Sequence, residues 1–258
     1  MIKHKVEDKI TDFPVELHEF LQAGRIYDSS CSPDARTWYC DGGFYIKQAA
    51  KGALVREAQM GRLFWKLGLG VEILRYLSGD RDYLVTRSAP GDDLTHWTRD
   101  PQLLCRVLAD ALGKLHGRST EGIPVSAKLQ EYGDTANRTW RDGHIGEHLR
   151  MDYFGINSPE EAWQIIQRHR EDLKTDTLIH GDACLPNLIC KDGTFSAFVD
   201  CGLAGAGDRH IDLFWTVWSL QFNLRTDAYT DLFLDLYGRN NFDREMLRTV
   251  AALELLGS

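Results

Sequence analysis

Apolar and polar positions divide the chain into two differently patterned parts. In the first, residues 36–48 read RTWYCDGGFYIKQ, two β-rich arms around Asp41-Gly42-Gly43, which is a hairpin signal. The spacing predicts a helix over 53–67, with Leu54, Ala58 and Leu63 or Phe64 on one side. Two short apolar segments follow, Val71–Leu77 and Tyr83–Thr86, with Gly79-Asp80 as the turn between two strands. Residues 1–88 therefore read as a small sheet with one helix.

The pattern changes at Ala89-Pro90-Gly91-Asp92-Asp93, a turn-rich connector. Asp100 is placed to cap a helix whose first position is Pro101. Leu104, Val107, Leu108, Ala111, Leu112 and Leu115 then recur at helical spacing. Residues 160–172, 209–222, 228–237 and 243–256 also favour helix. Only Leu178–Ile179, Leu188–Cys190 and Phe195–Val199 read as strands there, the last two joined through Asp192-Gly193. The expectation is an α+β protein of two lobes: a β-rich lobe over 1–88 and a mostly helical one over 89–258, with a hinge at about 87–93.

Composition narrows the function. The chain has 258 residues, 43% hydrophobic and 26% charged, the proportions of a globular protein rather than a disordered or disulfide-rich one. Thirty Lys and Arg against 38 Asp and Glu leave a net charge of −8. That charge repels nucleic acid and attracts a cationic small molecule. No apolar run reaches signal-peptide or membrane-span length, so a cytoplasmic protein with no membrane partner is expected. The six cysteines form no Cys-x-x-Cys pair and are expected to be reduced and partly buried.

The candidate chemistry lies between Leu178 and Asp212, in LIHGDACLPNLICKDGTFSAFVDCGLAGAGDRHID. His180-Gly181-Asp182 follows one short strand, Asn187 comes five residues after Asp182, and Asp200-Cys201-Gly202 ends the next strand. Asp or Gly in any one of these turns is ordinary. Together they supply hard oxygen ligands for Mg²⁺, which takes one or two protein carboxylates and completes its shell with water and phosphate. Asp182 is left to accept a proton from an attacking hydroxyl.

This stretch resembles the aminoglycoside phosphotransferase family, in particular the 3′-phosphotransferases, within the protein-kinase-like superfold. The run HGDACLPN at 180–187 is similar to the family's catalytic loop, FSAFVDCG at 195–202 to its metal-binding segment, and GDRHID at 207–212 to the segment after it. The resemblance implies Asp182 as catalytic carboxylate, Asn187 and Asp200 as Mg²⁺ ligands, and His180 and Asp212 as braces behind the loop. It also implies ATP, with GTP as a possible donor. Lys47, on the second hairpin arm, and Glu57, in the following helix, match the kinase pair that holds the α- and β-phosphates. Tyr45 occupies the family's adenine-stacking position. Ser32, in Ser30-Cys31-Ser32-Pro33, is a candidate phosphate contact, and Arg87-Ser88-Ala89 would offer backbone groups to the base.

The acceptor implied is a polycation bound by acids: Glu147, Asp152, Glu160, Glu254 and the carboxylate of Ser258 are candidates. Three features depart from the family. Leu203 stands where an Arg usually follows the Asp-x-Gly unit, about Trp218 where a second Arg is common, and the C-terminus, ALELLGS, lacks an aromatic residue. These leave phosphoryl transfer intact and leave the acceptor open to another small hydroxyl compound, such as choline, a sugar or a homoserine-like metabolite. Trp215 and Trp218 read as core. A separate motif, His144-Ile145-Gly146-Glu147-His148, fits H-x-x-E-H, but Gly143 and Gly146 weaken the helix that a zinc site would need. Monomer and homodimer both remain open.

Overall fold

The computed structural model describes residues 4–5, 10–22, 24–142 and 154–257. Its contacts divide the chain into two compact units. The first comprises residues 1–91 and 196–202, and the second residues 92–195 and 203–258. The short segment that carries Asp200 thus packs with the N-terminal unit, although it lies more than a hundred residues further along.

The first unit is built on a six-stranded antiparallel sheet in the order β1-β2-β3-β4-β6-β5. The strands are β1 (His4–Lys5), β2 (Ile26–Asp28), β3 (Ala35–Cys40), β4 (Phe44–Ala50), β5 (Ile73–Ser78) and β6 (Arg81–Arg87). The β3–β4 hairpin turns at residues 41–43, with Gly43 at φ +81°. Side chains alternate across β4, so its two faces have different partners. Ile46 is buried with Trp38, Val85, Phe13, Leu17 and Leu21. Ala49 joins Leu84, Leu54 and Ala58 on the other face. The sequence reading provided one helix for this sheet. The structure covers the Ile46 face as well, with short helical turns at 10–12 and 15–17 and the single-turn α1 (His18–Leu21).

Helix α2 (Val55–Lys66) covers the face that carries Lys47. Its entry is fixed by Asp82, a fully buried carboxylate on β6. Asp82 accepts from the Leu54 amide at 3.1 Å, Tyr76 Oη at 2.9 Å and Ser78 Oγ at 2.7 Å. After α2 the chain holds the segment 196–202. The Phe198 amide donates to the Leu69 carbonyl at 2.8 Å, and the Phe198 ring meets Phe64 edge-on at 5.9 Å.

The second unit is mostly helical: α3 (Pro101–His116), α4 (Ala127–Asp142), α5 (Pro159–His169), α6 (Arg209–Leu224), α7 (Thr230–Tyr237) and α8 (Arg244–Gly257). Helix α3 begins as its sequence dictates: Asp100 accepts from the Leu103 amide at 3.0 Å and Pro101 occupies the first turn. Helix α4 has no counterpart in the sequence reading. Its apolar positions are sparse, and Gly133 interrupts them.

The small strands are β7 (Asp92–Asp93), β8 (Thr177–Ile179), β9 (Leu188–Lys191), β10 (Thr194–Phe198) and β11 (Gly205–Gly207). Strand β8 pairs with β11, a Gly-Ala-Gly strand whose residues leave no alternation to read. Strand β9 turns into β10 through Asp192 and Gly193, both at positive φ, and the division between the units falls inside β10. No helix among the described residues is long and apolar enough to cross a membrane.

Candidate active site

In the first unit, strand β4 delivers Lys47 and helix α2 delivers Glu57. The Lys47 ammonium donates to Glu57 Oε2 and to Asp200 Oδ1, each at 2.8 Å. Burial alone would lower the Lys47 pKa. The two carboxylates outweigh it and hold the ammonium above its ordinary value. Asp200 sits at φ +58°, a left-handed conformation that costs a non-glycine residue energy. Its side chain remains 47% exposed. A strained backbone thus presents a carboxylate that is only partly engaged.

Tyr45 shares the Lys47 face of β4 and continues a row of rings across the sheet. Tyr39 lies 5.1 Å from Tyr45, and Tyr27 lies 6.2 Å from Tyr39. Ser32 Oγ accepts from the Asp34 amide at 3.2 Å, and Ser30 Oγ from the Thr37 amide at 2.9 Å, so the loop before β3 is shaped by its own hydroxyls. Arg87 pairs with Glu72 at 2.8 Å and lies over the Phe44 ring. The Ser88 amide donates to the Gly43 carbonyl at 2.8 Å, and the Ala89 carbonyl accepts from Ser88 Oγ at 3.4 Å.

In the second unit, β8 leads into His180-Gly181-Asp182. The loop is latched to α6 at four points. Asp212, wholly buried, accepts from the His180 amide at 2.8 Å and the Gly181 amide at 2.7 Å. Thr216 Oγ1 donates to the Ala183 carbonyl at 2.9 Å. The Trp215 carbonyl accepts from Cys184 Sγ at 3.8 Å. Ser219 Oγ accepts from the Leu185 amide at 3.0 Å. Positions 212, 216 and 219 lie on one helix face, which follows the loop along its length.

The Gly181 conformation, φ +85°, leaves no room for a side chain: a Cβ there would stand 2.7 Å from the Leu203 carbonyl oxygen. That carbonyl also accepts from Ser126 Oγ at 2.7 Å. Within the loop, Asn187 Nδ2 donates to the Asp182 carbonyl at 3.0 Å and to its Oδ2 at 2.9 Å. The Asp182 amide donates to His180 Nδ1 at 3.3 Å.

The structure thus brings the residues singled out from sequence together in two groups: Lys47, Glu57 and Asp200 in one unit, His180, Asp182, Asn187 and Asp212 in the other. Sequence reasoning missed His116, Thr216, Ser219 and Ser126. His116 Nε2 lies 3.1 Å from Asp212 Oδ2, and its Nδ1 lies 2.7 Å from Tyr237 Oη. Thr216 and Ser219 follow Asp212 at +4 and +7, which is the one signal that could have found them.

On the acceptor side, Glu147, Asp152, Ser258 and the H-x-x-E-H run at 144–148 lie outside the described residues. Glu160 is exposed in the first turn of α5, where acids are favoured by the helix dipole. Glu254 is not a surface acid. Its side chain is 1% exposed and is engaged by Lys128, Tyr132 and Trp215. Trp215 and Trp218 are half-buried rather than core. Trp218 stacks on the exposed Phe222 at 5.2 Å.

Residues 34–250 match the family model described as the phosphotransferase enzyme family, APH. The chain belongs to that family. Its resemblance to a probable aminoglycoside 3′-phosphotransferase of Lactococcus lactis subsp. lactis is 38% identity over 256 residues, 96% of each chain. A streptomycin 3″-kinase of Streptomyces griseus is 32% identical over 177 residues, 61% of this chain and 62% of that one. Among solved structures, an aminoglycoside 3′-phosphotransferase of type VIII superposes with a TM-score of 0.71 at 23% identity. The match covers 89% of this chain and 91% of that one. An aminoglycoside phosphotransferase of Streptomyces rimosus, in complex with ADP and streptomycin, superposes at 0.68 and 19% identity, over 91% and 90%. The fold is the α+β, kinase-like fold of these enzymes, and this phosphotransferase is an enzyme.

Proposed function

We propose that this phosphotransferase moves the γ-phosphoryl group of ATP to a hydroxyl of an aminoglycoside, the 3′-hydroxyl, and thereby confers resistance to the antibiotic. The observation that carries the transfer reading is the Lys47 ammonium held between Glu57 and Asp200, a strand lysine fixed by a helix acid for phosphate binding. The acceptor reading draws on the relatives. The L. lactis protein similar over 96% of the chain is named for aminoglycoside 3′-phosphorylation, and the S. rimosus neighbour holds ADP and streptomycin.

In this reading Lys47 binds the α- and β-phosphates, and Glu57 keeps it in place. Tyr45, Ser32 and the backbone of Arg87 and Ala89 bind the rest of the nucleotide. Asn187 and Asp200 are given to Mg²⁺. The donor set suits that ion: a half-exposed carboxylate, and an amide whose hydrogen bonds use its nitrogen and leave its oxygen as ligand. Held there, Mg²⁺ would supply neutralisation of phosphate charge. Asp182 orients the acceptor hydroxyl and takes its proton as the new P–O bond forms; the bond from the γ-phosphorus to the β-phosphate oxygen breaks and ADP leaves. Glu147, Asp152 and Glu160 are proposed to meet the acceptor's amines.

The test is ADP release by the purified protein with MgATP and kanamycin, beside the analogue that lacks the 3′-hydroxyl. Turnover with kanamycin alone is the expected result. Turnover with both moves the reaction to another hydroxyl. No turnover above background with ATP still bound refutes the aminoglycoside acceptor and favours another small hydroxyl compound.

A further inference from the structure

Helices α4, α6 and α8 enclose one primary ammonium. Lys128 Nζ lies 3.0 Å from Glu254 Oε1 and 3.1 Å from Oε2. Two rings wall the same nitrogen: the centroid of Tyr132 is 5.4 Å away and that of Trp215 is 5.3 Å away. Glu131 adds a more distant carboxylate at 4.0 Å. The aromatic walls of the cage also hold its acid. Trp215 Nε1 donates to Glu254 Oε1 at 2.9 Å, and Tyr132 Oη donates to the same oxygen. A carboxylate flanked by aromatic faces is the recognition chemistry of a desolvated alkylammonium. The Lys128 side chain is 13% exposed, so its nitrogen is largely withdrawn from water.

The cage adjoins the catalytic loop. The Trp215 carbonyl that follows from the cage wall accepts from Cys184, two residues after Asp182. Cys184 senses both sides: burial first, then the negative charges of Asp182 and Glu254, push its thiol well up.

We propose that this cage is a primary-ammonium subsite whose resident occupant is the chain's own Lys128, and that Lys128 is a specificity-determining residue. The specificity part rests on the aminoglycoside reading above. A tethered ammonium competes at a high effective concentration, on the order of millimolar or more for a short tether, so a free amine does not displace it. Its charge also repels a second cation. The acceptor's amines are therefore met by carboxylates other than Glu254, and an acceptor amine aimed at this cage gains nothing over a hydroxyl in the same place.

Lys128→Ala empties the cage and leaves its walls. The first readout is the melting temperature of the variant with n-butylammonium chloride, beside n-butanol and sodium chloride. A saturable rise with n-butylammonium alone is expected, absent from wild type and from Lys128→Ala/Glu254→Gln. No rise beyond the two controls overturns the subsite. The second readout is kcat/KM for kanamycin against its analogues with a single amine replaced by hydroxyl. In Lys128→Ala, and in Lys128→Met should the alanine variant fold poorly, preference for one amine over its hydroxyl counterpart should rise at least tenfold above wild type. An unchanged preference across the series overturns the specificity role. The thermal readout needs no turnover, so failure of the aminoglycoside reading and failure of the cage are separately visible.

Discussion

Replacing Asp212 tests whether the His180–Gly181–Asp182 loop, proposed above to carry the catalytic carboxylate, is held from behind by a buried carboxylate. In Asp212→Ala the amides of His180 and Gly181 lose acceptors at 2.8 and 2.7 Å, and His116 loses its partner at 3.1 Å. Leaving a buried donor unsatisfied costs about 1–3 kcal/mol, so the two amides alone cost roughly 2–6 kcal/mol. For a chain of this size each kcal/mol lowers Tm by about 2–4 °C, which gives a fall of about 4–24 °C. Asp212→Asn keeps one acceptor oxygen and should lose about half as much. The assay pairs thermal unfolding with initial rates at a temperature where both variants are folded. The expected pattern is a fall in kcat of at least about tenfold, an energy of ~1.4 kcal/mol, with KM for ATP little changed. The asymmetry follows from the architecture: the Lys47–Glu57 pair, proposed above to bind the phosphates, lies in the other unit and does not use Asp212. A Tm loss below about 2 °C, less than one kcal/mol, together with an unchanged kcat, would refute the latch.

Three further outcomes are expected. Gly181→Ala should lower kcat steeply and destabilise the fold by at least ~1–2 kcal/mol, because it adds a left-handed alanine and a Cβ at 2.7 Å from a backbone oxygen; kinetics beside urea unfolding check this, and near-wild-type behaviour contradicts it. Asp82 is held below its ordinary pKa of 3.8: burial would raise it, but bonds from Ser78, the Gly52 and Leu54 amides and Tyr76 outweigh burial. A carboxyl depressed in the folded state adds stability that is present above 3.8 and lost as pH falls through the folded value. The Tm gap between wild type and Asp82→Asn should therefore be widest at neutral pH and narrow in acid below about pH 4, and a gap independent of pH would count against the assignment. Finally, only Cys31 of the six free cysteines is exposed, while burial pushes Cys40 and Cys105 up to about 11. A thiol reagent should label one site quickly in the native protein and six after denaturation, and rapid native labelling of several thiols would contradict this burial.

What the sequence made legible depended on how local its signal was. The β3–β4 hairpin, α2, the β5–β6 hairpin and the capped start of α3 each carry their own turn residue or periodicity, and each is where the pattern put it. Helix α4 and strand β11 carry neither and owe their form to packing: Tyr132 is buried by α8, and β11 exists through its pairing with β8. The segment 196–202 shows the same limit at a larger scale. It reads as part of the helical half, yet the Leu69 carbonyl and the Phe64 ring hold it in the N-terminal unit.

Motif residues were legible for a different reason. Asp182, Asn187, Asp200 and the Lys47–Glu57 pair stand out as residue types because the proposed phosphoryl transfer asks for carboxylates, an amide and a fixed cation. Their supports are not so constrained. A backbone carbonyl or amide can be met by any hydroxyl, so Thr216, on the Ala183 carbonyl, and Ser219, on the Leu185 amide, are recognisable only once Asp212 is known to face the loop and the helix period is counted from it. Glu254 shows the reverse error. Read as an acid near the C-terminus it suggests a solvent-facing contact for a cation, and the fold does give it a cation. That cation is Lys128, 126 residues earlier in the chain, and no local pattern joins the two. A carboxylate buried to this degree needs its charge met within the protein, because the alternative is an uncompensated ion in a low-dielectric interior. The lysine that meets that need sits on α4, a helix that the sequence pattern did not announce.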